Sequence, residues 1–309
     1  MSILNHSCTS NTLCYAKDDF TFACRAVVPI KKGEELTTNY LHYHYHFFGG
    51  SYRGVELSDN WYFQCRCDRC QDSSEAGTGA DCLVCSVCQG RTMTRTNTFD
   101  DTMTSTMTMW ECNVCGVKKT NEAVKGMLAN YWDLMEKTTD SDVSGLDQLL
   151  PKLLKVFHKN HFYILEVKRR IMESLRNYED LADRMLEKKV EYCRDHLAVQ
   201  QYLAPGLSEY RAYISQHLAE PLYWLAREKT PDTDVVKTME EVAHHLLLVI
   251  QVWGPFRCGS DERMAAEKAR RLLHSVDTQY LHRDLGQQAD NVLNNNSLET
   301  YNYQQFFKI

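Results

Sequence analysis

WYFQCRCDRC, residues 61–70, sets three thiols, Cys65, Cys67 and Cys70, in C-x-C-x-x-C spacing directly behind an aromatic run. A closed structural zinc site takes four tetrahedral ligands, so the motif asks for a fourth thiol from elsewhere in the chain. Cys82 is one candidate, and Cys8, in NHSC at residues 5–8, is the other. Spacing leaves both open. The chain holds 13 cysteines, ten of them between Cys8 and Cys112 and most in C-x-C or C-x-x-C pairs. No basic segment followed by an apolar run opens the sequence, so no secretory signal is read. That clustering then favours metal over disulfides.

A second site is legible downstream. Cys85-x-x-Cys88 and Cys112-x-x-Cys115 repeat the knuckle spacing of a zinc ribbon, with Gly90 and Gly116 placed for the turn after each knuckle. The intervening threonine-rich segment suits a polar hairpin. Cys82 is left over and competes with Cys85 as a ligand. Residues 81–120 balance basic against acidic side chains, so direct nucleic-acid binding is not expected of the ribbon.

The rest of the composition is that of a globular protein: 309 residues, 43% apolar, 25% charged and a net charge of -6. This charge gives no reason to expect a nucleic-acid or anionic-membrane partner. The longest strongly apolar run, LLLVIQVW (246–253), is too short to span a bilayer. The expectation is a soluble intracellular protein, cytoplasmic, nuclear or both.

Patterning divides the chain. LCYA (13–16), FTFACRAVV (20–28) and LTTNY (36–40) predict short strands, with KKGEE (31–35) as a turn. From about residue 121 the period is helical. Leu186, Val190, Cys193 and Leu197 make one face. Ile214, Leu218, Leu222 and Leu225 make another, with Pro221 inside as a kink. Val235, Met239, Val242, Leu246, Val249 and Trp253 make a third, and Ser260 is placed to cap a fourth helix. LAPG (203–206) and GPFRCG (254–259) break the pattern. Long helices joined by short loops predict a bundle or a TPR-like helical array. The tail from residue 284 reads as low complexity and poorly ordered.

NHSC (5–8), then GEELTTNY (33–40), then F-x-C-x-C-x-x-C resembles the C-terminal half of a SET domain with its post-SET motif. WYFQCRCDRC followed by DSSEAGT (72–78), the second cysteine cluster and HKNHFYILEVKRR (158–170) is similar to the SET and MYND domain (SMYD) methyltransferases, nearest their arthropod branch. The resemblance runs over roughly residues 1–280. It implies an α+β protein: the C-terminal part of a SET domain at 1–64, a post-SET zinc motif at 65–80, a zinc-ribbon-like module at 81–120, a helical domain at 121–283 and the tail at 284–309. It makes Cys8 the fourth ligand of the first zinc, and it implies a segment threaded through a loop. The family's upstream half, with its glycine-rich cofactor turn and MYND module, is not in this sequence. The sequence is therefore expected to be a C-terminal fragment of the family pattern, inactive alone.

The chemistry implied is methyl transfer from S-adenosylmethionine to a lysine amine of a histone or non-histone protein, often tied to transcriptional control. A free lysine titrates near about 10.4, so the site must favour the neutral amine and align it. The resemblance assigns the orienting hydroxyl to Tyr40. It places Asn5, His6 and Tyr40 at the cofactor and Phe63 near its adenine. In active relatives a second tyrosine stands where this chain has Trp61, which here is expected to wall the lysine channel, although its indole donates a hydrogen bond and cannot accept one. The rival reading is a catalytically silent zinc-stabilised scaffold binding a partner peptide through its helical domain.

Other features invite function and read more plainly as structure. His42, His44 and His46 in LHYHYHF have the spacing of a metal triad on a strand, yet an aromatic surface or channel wall is expected. Gly77-Thr-Gly79 reads as linker flexibility. His158 and His161 read as capping or solvent-exposed residues, and of His244 and His245 at most one points inward.

Overall fold

The computed structural model describes residues 3–88, 92–99, 106–176 and 178–295. Gly90 and residues 296–309 of the tail lie outside the described residues. The fold is α+β, and the chain forms two compact units, Met1–Leu13 with Ala26–Gly206, and Cys14–Arg25 with Leu207–Ile309.

In the first unit, β1 (Asn5–His6) pairs in parallel with β4 (Thr37–Thr38). Asn11 fastens this pair: its Oδ1 accepts the Thr37 N–H at 2.9 Å and its Nδ2 donates to the Glu35 carbonyl at 2.8 Å. β2 (Thr12–Ala16) and β3 (Phe22–Ala26) form a hairpin whose outer part belongs to the second unit. There Cys14 and Cys24 are joined as a disulfide, with Cα atoms 4.2 Å apart. The metal reading of the cysteines stops short of this pair, because neighbouring strands bring facing side chains within disulfide reach.

LHYHYHF folds as a 3-10 turn, Tyr43–Phe47, so His42, His44 and His46 share no strand face. It places Phe47 and Phe48 in the core ahead of α1 (Gly50–Trp61). Gly50, Arg53 and Leu57 form the buried stripe of α1, at the three- and four-residue spacing of one helix face. Tyr62 ends α1 in the left-handed conformation, φ 58°, and turns the chain into the cysteine motif, where α2 (Asp68–Gln71) follows.

SSEAGTGADC is not a flexible spacer. Asp72 accepts the N–H groups of Ser74 and Ala76, and Gly77 and Gly79 take positive φ values of 75° and 74°. At Gly79 an added Cβ would stand 2.5 Å from the His158 ring. This compact turn carries Glu75, Thr78 and Asp81 into the interior. Beyond it, β5 (Leu83–Val84), β6 (Thr92–Phe99), β7 (Thr106–Cys112) and β8 (Lys118–Thr120) form an antiparallel ribbon in sequence order. Gly116, φ 68°, makes the expected turn after the second knuckle.

Four helices complete this unit: α3 (Asn121–Glu136), α4 (Val143–Leu153), α5 (Phe162–Ser174) and α6 (Asp183–Leu203). Thr120, Asp142 and His161 cap α3, α4 and α5 by accepting main-chain N–H groups. The α6 face read from sequence buries Leu186, Val190 and Cys193.

In the second unit, α7 (Glu209–Ala226) packs on α8 (Thr233–Trp253), and α8 on α9 (Asp261–Val276). All six apolar residues read as one α8 face are buried. Ser260 caps α9 by accepting the Arg263 N–H at 3.1 Å. α7 continues as one helix through Pro221. Part of the segment expected to be disordered is α10 (Leu285–Asn295), which buries Leu285, Ala289 and Leu293. The Asp277 carboxylate starts it by accepting the Arg283 and Leu285 N–H groups at 2.8 and 2.7 Å. No helix among the described residues is long and apolar enough to cross a membrane.

Candidate active site

The start of the chain and the cysteine motif meet. The Sγ atoms of Cys8, Cys65, Cys67 and Cys70 lie within 4.8 Å of one another. Cys8 stands 3.5 Å from Cys70 and 4.0 Å from Cys65. Four sulfurs at about 2.3 Å from a tetrahedral zinc are about 3.8 Å apart, so the cluster fits that ion. Cys82 belongs to neither cluster; its sulfur faces the Ser73 carbonyl at 4.0 Å. The second cluster, Cys85, Cys88, Cys112 and Cys115, has the same closeness, with Cys85 and Cys115 3.7 Å apart. Two sets of four thiols can therefore each hold a zinc ion.

Behind the first cluster sits a charged network with no local sequence motif. Arg53 is fully buried, and its Nε and Nη2 donate to the Cys8 and Cys70 sulfurs at 3.3 and 3.5 Å. Its Nη1 donates to Glu75 at 2.8 Å. Arg69 donates to the same carboxylate at 2.7 Å and to the carbonyls of His46 and Phe48. Burial pushes the Glu75 carboxyl up, but Arg69 and Arg53 outweigh it and hold the group below the usual carboxylate range. The signal was an arginine standing between Gly50 and Leu57 on the apolar stripe of α1, where a buried charge demands partners.

In front of the cluster, Asn5, His6, Tyr40 and Phe63 line one cleft of about 700 Å³ together with Asn11 and Glu35. Packing explains the convergence. The Tyr40 ring lies 5.3 Å from His6, 4.6 Å from Trp61 and 6.2 Å from Phe63, and Phe63 meets His6 edge-on at 5.8 Å. Tyr40 donates its hydroxyl proton to the Leu4 carbonyl at 2.6 Å. The Asn5 side chain donates to Glu35 at 2.6 Å. Trp61 is 49% exposed at the side of Tyr40.

His6 is more constrained than its expected cofactor contact implies. Its Nδ1 accepts the Tyr40 N–H at 3.0 Å, and its Nε2 is 3.2 Å from the Cys8 sulfur. Burial lowers its pKa to about 4, so the ring is neutral. Nδ1 as acceptor leaves the proton on Nε2, which donates to Cys8. Both nitrogens are thus engaged within the protein, and only the ring face or main chain of His6 is left for a ligand.

The SET domain family profile matches residues 1–41, which contain Asn5, His6, Cys8 and Tyr40. The Drosophila melanogaster SET domain-containing protein SmydA-8, isoform A, is 24% identical over 221 residues, 66% of this chain and 44% of that protein. Isoform B is 23% identical over 220 residues, 66% of this chain and 45% of its own length. The chain thus spans under half the length of these curated relatives. The profile match over residues 1–41, these relatives and the order of its motifs make the chain similar to SET-domain proteins of the SMYD type.

Proposed function

We propose that this chain carries the lysine-facing part of an S-adenosylmethionine-dependent protein-lysine N-methyltransferase. The observation that carries the reading is the Tyr40 hydroxyl held on the Leu4 carbonyl in the cleft shared with Asn5 and Phe63. A cleft of this size is in the range that encloses a small-molecule cofactor. Its apolar rings suit an adenine, and its carboxylates suit ammonium and sulfonium charge. Asn5, the ring face of His6 and Phe63 would hold the cofactor, whose chemistry is the supply of an electrophilic methyl group.

The chain's own residues then orient the nucleophile. With its proton committed to Leu4, the Tyr40 oxygen keeps lone pairs free to accept an N–H of the incoming lysine. Trp61 and Tyr40 offer an apolar wall that strips water from the amine and so favours its neutral form. The thiol clusters are structural zinc sites in this reading. Four thiolates around one zinc make a doubly negative centre, which the net positive charge of Arg53, Arg69 and Glu75 partly offsets.

Methyl transfer from labelled cofactor to histones and to a cell lysate, using the longest protein that contains this chain, tests the reading. Tyr40→Phe should abolish labelling while zinc content and melting temperature stay unchanged. Labelling that survives this change would refute the catalytic role. A folded wild-type protein that labels nothing and binds no cofactor would leave the scaffold reading, for which Trp61 in place of a tyrosine is the supporting observation. Histone or non-histone substrate, transcriptional role, and cytoplasmic or nuclear location are carried by the family resemblance.

A further inference from the structure

A second cleft, sharing no lining residue with the first, opens between α1, α3 and α5. It measures about 410 Å³ and is lined by Tyr52, Ala129, Trp132, Asp133, Glu136 and Tyr163. Ala129, Trp132, Asp133 and Glu136 stand at i, i+3, i+4 and i+7, one face of α3. Trp132 sits between the two tyrosines, 6.0 Å from Tyr52 at 35° and 5.7 Å from Tyr163 at 44°. These tilts make a concave aromatic wall rather than a flat stack. The small side chain of Ala129 leaves it open.

The wall is held in place from behind. Tyr163 donates its hydroxyl to the Leu128 carbonyl at 3.0 Å. Tyr52 packs on Phe48 at 4.5 Å and on Tyr45 at 5.7 Å. A ligand therefore meets a preformed surface. The rim is acidic: the exposed carboxylates of Asp133 and Glu136 frame the rings. Lys137 pairs with Asp133 at 2.6 Å, and no basic side chain among the described residues pairs with Glu136.

Aromatic faces carry negative potential, and carboxylates beside them add to it. An anion is repelled here. A small strongly hydrated ammonium gives up much solvation to enter, whereas an alkylated ammonium brings charge together with apolar surface and gives up less. We propose that this cleft binds an alkylated ammonium group, that is, a methylated lysine side chain of a partner protein. The site follows from its own geometry and stands whether or not the first cleft catalyses methyl transfer.

The test is binding of N-acetyl-trimethyllysine amide to the zinc-loaded protein, followed by ligand-observed nuclear magnetic resonance. The comparison ligand is the isosteric neutral tert-butyl analogue, in which carbon replaces the charged nitrogen. The cation should bind saturably and at least about tenfold more tightly than the neutral isostere. Trp132→Ala should abolish binding, and Glu136→Gln, an exposed change that leaves the fold intact, should weaken it about threefold or more. Equal binding of the isostere would overturn the proposal, as would no saturation by millimolar ligand, or unchanged affinity in a folded Glu136→Gln protein.

Discussion

The imidazole of His6 accepts the main-chain N–H of Tyr40 at 3.0 Å and points its other nitrogen at the Cys8 sulfur, 3.2 Å away. The metal-type cluster and the proposed catalytic tyrosine are thus joined through one ring. A hydrogen-bond partner of a metal ligand orients that ligand, and its loss typically lowers metal affinity about 10- to 100-fold. His6→Phe should therefore weaken zinc binding at the first site by about tenfold and leave the ribbon's zinc in place. Competition with a chromophoric chelator, read as one loosened equivalent of two, checks this. Two equally tight equivalents would contradict it.

Cys82 and Cys85 separate cleanly. Cys82→Ser should keep both zinc equivalents, since its sulfur lies outside both clusters. Cys85→Ser should lose one. Elemental analysis of the purified variants decides it, and zinc loss on Cys82→Ser would mean that the ribbon uses a different ligand set.

Arg53 and Glu75 are a buried pair at 2.8 Å, 0% and 2% exposed. Removing Arg53 leaves the buried Glu75 with Arg69 alone and the Cys8 and Cys70 sulfurs without their donor, and breaking a buried pair costs about 3–5 kcal/mol. Arg53→Met should destabilise by that order, and Glu75→Gln by less, because Arg53 would keep its sulfur acceptors. Urea unfolding measures both. A loss under about 1 kcal/mol for Arg53→Met would show that the network is not what fixes α1 against the cysteines.

Acid should unfold the first unit through its buried histidines. Burial pushes His46 and His196 down to about 3, with Arg69 beside the first and Arg169 and Lys168 beside the second adding to the shift. Both stay neutral in the folded state, while the unfolded chain takes up protons below about 6.5. The unfolded state then binds more protons, so stability falls as pH drops from about 6.5 toward 3, by up to about 1.4 kcal/mol per pH unit for each histidine. His196→Gln should flatten that slope by about one such contribution between about pH 6 and 4. Unfolding midpoints across this range test it, and an unchanged slope would contradict it.

C-x-C-x-x-C and paired C-x-x-C made two thiol sites legible, because ligand chemistry is tied to short spacings, but spacing left Cys8 and Cys82 open at the first site and Cys82 and Cys85 open at the second; the structure puts Cys8 and Cys85 in the clusters. Helix faces such as Val235 to Trp253 were legible because burial imposes a period. What escaped depends on partners far apart in the chain. Arg53 meets Glu75 across 22 residues, and Tyr163 joins Trp132 across α3 and α5, with no periodic signature. SSEAGTGADC (73–82) has the composition of a linker, yet the turn that Asp72 makes just before it and its positive-φ glycines shape it into a compact carrier for Glu75. Cys14 and Cys24 pair because two strands face each other, a fact of tertiary structure that cysteine spacing does not show.

The central claim, that the Tyr40 cleft holds the methyl donor, is tested most directly by binding of S-adenosylhomocysteine to the longest zinc-loaded protein containing this chain. The account predicts saturable one-to-one binding in calorimetry, weakened about tenfold or more by Phe63→Ala and by Asn5→Ala with both zinc equivalents retained. No saturable binding by a folded protein with both zincs in place, or binding indifferent to both variants, would contradict it.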